Sequence, residues 1–179
     1  MNMKNENWFV RNTSGYKVVL RVMFGLVWLA DAWLKWQPAF FSGFESMIQS
    51  SMAQQPSWMM PWFQFWINMT SPDPYLFALL IAVVETLFAF AILFGFLRKV
   101  TYFLGVIFSF FIWSVPEGFG GFYIYGATDI GTSIIYVLVF LFLILVNGVF
   151  GPSRYSLDYY IERKFSGWNR LAEISPNTK

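Results

Sequence analysis

The chain predicts an all-α fold: an integral membrane four-helix bundle with short interfacial helices in its first outer loop. Three observations carry that expectation. The 179 residues are 57% hydrophobic and 12% charged, whereas a soluble domain carries about a quarter charged residues; so large an apolar surplus must face lipid. Four apolar runs, residues 16–36, 75–97, 100–115 and 129–150, are separated by segments rich in Pro, Gly or basic residues. The Lys and Arg residues outside these runs fall on alternate connections. Runs this long and continuous are helices rather than barrel strands, because backbone groups in lipid must be satisfied within a helix or a closed barrel.

Residues 1–15 form a polar arm. The run 16–36 is long enough to span a bilayer core of roughly 30 Å. It does not read as a signal peptide, because Arg21, Asp31 and Lys35 interrupt it and no small-residue cleavage site follows. Residues 37–74 form a long connection. Trp58, Trp62 and Trp66 recur every four residues, which puts them on one helix face; Glu45 is its only charge before Asp73. Long structureless loops are uncommon, so two short helices are expected there, at 39–52 and 58–68, lying in the membrane interface, with Pro56 and Pro61 at breaks or first turns. The Trp stripe reads as interface anchoring first and as a quinone-binding wall second.

The run 75–97 carries one acid, Glu85, near its centre, and Arg98 and Lys99 close it. The run 100–115 is short for a span. A Gly-rich loop, 117–128, follows; it has no basic residue and no Gly-Lys-Thr, so it is no phosphate loop, and its glycines suit a tight re-entrant turn. The run 129–150 ends at Gly151 and Pro152, and the tail 151–179 contains a possible interfacial helix at 157–165.

Basic residues prefer cytoplasmic loops. Lys4, Arg11 and Lys17, then Arg98 and Lys99, then Arg154, Arg163, Lys164, Arg170 and Lys179 fall on one side of a four-span protein. The outer loops carry only Glu45, Asp73 and Glu117. A multi-pass protein of the cell membrane with both termini cytoplasmic is expected. The absence of Cys and His removes disulfides, thiolate chemistry, Ser-His-Asp catalysis and haem ligation by His or Cys. No protein-bound metal or haem is expected on this chain. A net charge of +2, with its bases scattered, argues against nucleic acid.

Ionisable residues inside a span cost a few kcal/mol and need a partner or a task. Arg21, Phe24, Trp28, Asp31 and Lys35 fall within about 80° of one another on a helix, forming one stripe. Asp31 and Lys35 stand four apart in the favourable order. Arg21 and Lys35 either snorkel to the interfaces or meet an anion in the bundle. Asp129 is either an N-cap of the fourth helix or a functional acid. Glu85, the deepest charge, takes a ligand, a proton or a place in a polar network. The outer half of the bundle is expected to gather Asp31, Lys35, Glu117 and Asp129, with Glu85 beneath.

Taken together, these residues resemble the DoxX/DoxD family of small four-helix membrane proteins. The likeness runs from about residue 17 to 151. It rests on Arg21 and Gly25, then Lys35, in the first run; on Glu85, Gly95 and Arg98 around the second; and on Trp113, Pro116, Glu117, glycines 118, 120 and 121, Tyr123, Thr128, Asp129 and Gly131, which resemble the DoxD branch in particular. One departure stands out: Asp31 lies in Ala30-Asp31-Ala32-Trp33, where the family often has Gly before the Lys, so Asp31 inherits no family role.

The resemblance implies a subunit of a thiosulfate:quinone oxidoreductase in the respiratory chain, paired with a small DoxA-like subunit and associated with a haem-copper terminal quinol oxidase in acidophilic sulfur-oxidising archaea. Its substrate would be a quinone of the caldariella type or similar. On that reading Glu85, Asp129 and Glu117 are the candidate catalytic acids, since quinone reduction needs two protons. Arg21, Asp31, Lys35, Trp28 and Tyr123 are the candidate binding residues. The alternative is a non-catalytic accessory subunit of such an oxidase or of another membrane redox complex. A small transporter is the weaker third reading, because no inverted repeat is visible.

Overall fold

The computed structural model describes residues 12–53, 55–150 and 154–174. Lys4, Arg11, Lys179 and the expected stop at Gly151 and Pro152 lie outside them. All regular structure among the described residues is helical.

Helix α1, Thr13–Lys35, carries the charged stripe. After a two-residue turn, α2 (Pro38–Met52) begins with Pro38 at its first position, where the missing N–H costs nothing. A 3₁₀ turn, Ser57–Met59, leads into α3, Met60–Thr70, again with Pro in its first turn. The two short helices of the first connection therefore form where they were expected. Helix α4, Pro74–Phe94, is capped by Asp73, whose carboxylate accepts from Leu76 N at 2.9 Å, and ends on left-handed Gly95.

Helix α5 spans Arg98–Ser114 and α6 spans Thr132–Phe150, with a 3₁₀ turn at Gly118–Gly121 between them. The tail folds into α7 (Leu157–Glu162), a 3₁₀ turn (Ser166–Trp168) and α8 (Asn169–Ala172).

Three boundaries depart from the sequence reading, and each has a chemical cause. Arg98 and Lys99 belong to α5 rather than to a loop, because the Asp158 carboxylate accepts from Leu97 N at 2.8 Å and Arg98 N at 2.9 Å and starts the helix there. Asp129 does not cap α6. Its carboxylate turns back on its own loop, accepting from Gly131 N at 2.9 Å, while Glu117 caps the helix by accepting from Ser133 N and the Ser133 hydroxyl, the latter at 2.7 Å. The tail helix stops at Glu162, and its buried Asp158 faces the start of α5.

Packing is uneven. Helix α1 lies against α4 and α5 against α6 over most of their lengths, while α4–α5 and α1–α6 meet over short stretches. The four long helices are thus two close pairs joined along looser seams. The main core is Phe24, Trp28, Ala89, Ile92, Tyr102, Phe140 and Leu143. Trp28 is fully buried, with Phe140 and Tyr136 rings 5.7 and 5.6 Å away. The Phe140 ring fills the space that a side chain at Gly105 would need. A second core of Phe44, Ile48, Ala78 and Val115 joins α2 to α4 and α5 at the other end.

Helices α4 and α6 are long and apolar enough to cross a membrane. Helix α1 has the length but carries Lys17, Arg21, Asp31 and Lys35, and α5 has 17 residues. All four expose large apolar side chains outward, among them Met23, Leu87, Ile107 and Leu145, a surface that water does not favour.

Candidate functional site

Where the α4–α5 seam meets the cover formed by α2 and α3, the helices leave a cavity of about 190 Å³. Its walls are apolar: Phe40 and Phe44 from α2, Trp66 from α3, Phe77 and Ile81 from α4, Phe111 from α5. Trp66 and Phe111 meet edge to face at 4.7 Å. Three charged side chains reach this lining: Lys35, Glu85 and Glu117.

Glu85 sits mid-helix among alanines at 78, 82 and 89, all fully buried, so nothing bulky on its own face hides it. Neither carboxylate oxygen has a hydrogen-bond partner among the described residues, although the side chain has no exposure. Lys35 Nζ stands 3.6 Å from Glu85 Oε2 and 3.1 Å from Asp31 Oδ1. It also lies 5.6 Å from the centre of the Phe40 ring, a favourable cation–π position. One ammonium therefore serves two carboxylates. The closer of the two, Asp31, is part-exposed and does not line the cavity; the farther, Glu85, is sealed against it. Glu85 thus has an ion-pair partner but no hydrogen bond; a buried polar atom without a hydrogen bond costs about 1–3 kcal/mol, so the carboxyl is poised to accept a further partner.

The other expected site residues divide. Lys35, Glu85 and Glu117 share the cavity, with Asp31 beside it. Trp28 belongs to the core. Asp129 lines a separate open depression in the Gly-rich loop, and Tyr123 stands edge-on to Trp58 at 5.3 Å. Arg21 lies near the opposite end of the bundle; it does not snorkel but is buried, donating to Tyr155 O at 2.6 Å. The Trp stripe splits as well: Trp66 joins the cavity wall while Trp58 faces outward.

A second charged cluster near the tail was not foreseen. Arg98, buried, pairs with Asp158 at 3.0 Å, with Glu162 at 3.6 Å and with Glu173. Trp168 donates its indole N–H to Asp158 at 2.9 Å. Burial pushes the Glu173 carboxyl up to about 7, against the pull of Arg98, and raises Glu162 too. The available signal was Asp158 and Glu162 four apart on one short helix, facing one way.

Among the described residues all regular structure is helical, two helices are long and apolar enough to cross a membrane, and large apolar side chains face outward, the features of a membrane protein. The profile of the DoxX family matches residues 16–117, more than half of the 179, and the chain belongs to the DoxX family. The match takes in α1 to α5, with Asp31, Lys35, Glu85 and most of the cavity wall. Comparison with curated proteins and with solved structures gave no match.

Proposed function

We propose that this chain is a DoxD-like subunit of a respiratory membrane complex, a four-helix bundle crossing the bilayer four times with both termini cytoplasmic. Its cavity receives a quinone ring, and the activity it serves is thiosulfate:quinone oxidoreduction. The observation that carries this reading is the apolar, aromatic-walled cavity with one buried, unsatisfied carboxyl and one ammonium at its wall. Such a pocket fits an uncharged ring carrying a few oxygens. An engineered cavity of roughly 150 Å³ takes a benzene, so about 190 Å³ accommodates one substituted ring, with its tail left to the lipid.

A bound quinone supplies the two-electron acceptor. Lys35 offers an N–H to a ring oxygen, and Glu85 holds a proton at the same wall. Two thiosulfates joined through a new S–S bond give tetrathionate and two electrons; quinone reduction takes those electrons with two protons. The outer connections of this chain hold Glu45, Asp73 and Glu117, and acids repel a dianion. The thiosulfate site is therefore assigned to a partner of the DoxA-like kind.

The test is Glu85→Gln in the assembled complex, which keeps shape and removes the proton. Thiosulfate-dependent quinone reduction falls by at least about 100-fold if Glu85 acts as an acid; unchanged activity removes the reading. A second reading has an observation of its own. Trp58, Phe65, Phe122 and Tyr125 stand exposed around the connections at one end, a surface suited to a neighbouring subunit. An oxidase that co-purifies with the chain and keeps its turnover when the chain is deleted would favour an accessory role.

A further inference from the structure

The charged triad has a direction. Lys35 lines the cavity and touches both acids, but only Glu85 shares that lining. Asp31 stands one helical turn before Lys35 and is not part of that lining; its side chain is partly exposed, as is that of Lys35. One ammonium thus bridges a part-exposed acid outside the cavity lining and a fully buried one within it, across 3.1 and 3.6 Å. The triad also holds two acids against one base, and a low-dielectric site favours zero net charge; one shared proton achieves that.

We infer that Asp31 and Lys35 form a relay that refills Glu85 with protons from outside the cavity. The inference rests on the quinone reading above. Glu85 gives its proton to a ring oxygen as the two-electron acceptor is reduced, and becomes a carboxylate. Lys35 passes one ammonium proton to that carboxylate and is left neutral. The Asp31 carboxylate takes a proton from water and passes it to Lys35, which restores the ammonium and leaves Asp31 ionised again. Each proton taken into the ring is matched by one taken from solvent, and the electrons come from the oxidised sulfur substrate. Asp31 acts through Lys35 and does not touch the ring. The titratable groups around the triad are Asp31 on the same helix as Lys35, Glu85 on α4 and Glu117 after α5, with Tyr136 on α6 feeling the charges of the three acids.

The experiment uses membranes holding the assembled complex, with the native protein, Asp31→Asn and Asp31→Glu compared. A photoreactive azidoquinone first reports occupancy of the cavity; steady-state rates then separate kcat from KM across pH. The relay predicts labelling in all three proteins. For Asp31→Asn it predicts an unchanged KM for quinone, a kcat at least about 10-fold lower near neutral pH, and a rate that climbs as pH falls. Added acetic or formic acid restores the rate by delivering protons to Lys35, and Asp31→Glu keeps most of it. Labelling with an unchanged kcat in Asp31→Asn overturns the relay and leaves the quinone reading standing. A lowered kcat that neither small acids nor low pH restores makes Asp31 a structural support for Lys35 and overturns the relay too. Loss of cavity labelling in the native complex removes the quinone reading and the relay together.

Discussion

A Cβ at Gly120 would stand 1.9 Å from the carbonyl oxygen of Ile130, in a backbone already left-handed at φ +60. Gly126 is also left-handed, at φ +81, but opens onto free space. The two separate strain from collision. Gly126→Ala is expected to cost only the conformational penalty, about 1–2 kcal/mol. Gly120→Ala must also displace the strand of loop that delivers Gly131 to α6, and its melting temperature in detergent should fall clearly further. Equal losses would mean that the contact yields freely. At the same scale, Trp28→Ala empties the middle of the core and is expected to cost about 3–5 kcal/mol. Trp28 and Lys35 were legible as one stripe because helical periodicity is local. The role of Arg98 was not, because its partners lie some sixty residues on, where no spacing rule reaches.

Helices α5 and α6 both start on carboxylates borrowed from elsewhere: Asp158 from the tail and Glu117 from the preceding loop. Borrowed caps explain why the four apolar runs were readable while the starts of two moved by two or three residues. Hydropathy locates a run, but the cap decides where its first N–H groups are satisfied. The tail cap carries a pH signature. The folded pKa of Glu173 is raised to about 7 by burial, so its protonated form is the one that packs. Its contribution is complete below the ordinary carboxyl value, fades as pH rises, and is lost above about 7. Amide protection in 157–174, taken relative to the intrinsic exchange rate at each pH, should therefore fall from pH 5 to pH 8, and Glu173→Gln should flatten that fall; an equally steep fall in the variant would assign it to another group. Asp158→Asn leaves Arg98 short of a buried partner and is expected to cost about 3–5 kcal/mol, read as loss of thermal stability with earlier cleavage of the tail by protease.

The whole molecule is two close helix pairs with a cavity in one looser seam, and the alternation of charge along the sequence bears on how it sits in a bilayer. The four apolar runs were legible as the four long helices because a continuous apolar run of that length is a local signal. The cavity was not, because it arises from residues of five helices whose meeting depends on tertiary packing. The topology makes a prediction that can be read directly. The chain contains no Cys, so single cysteines introduced at exposed positions give clean signals. Glu45 and Tyr125 lie on the two connections at the cavity end, and Arg154 and Lys164 in the tail; all four are exposed. In intact cells, a membrane-impermeant maleimide should label Glu45→Cys and Tyr125→Cys. Arg154→Cys and Lys164→Cys should react only after permeabilisation. The reversed pattern would overturn the orientation while keeping four crossings. Labelling that separates Glu45→Cys from Tyr125→Cys would mean that α4 and α5 do not both cross, and a bundle of four spans would then be wrong.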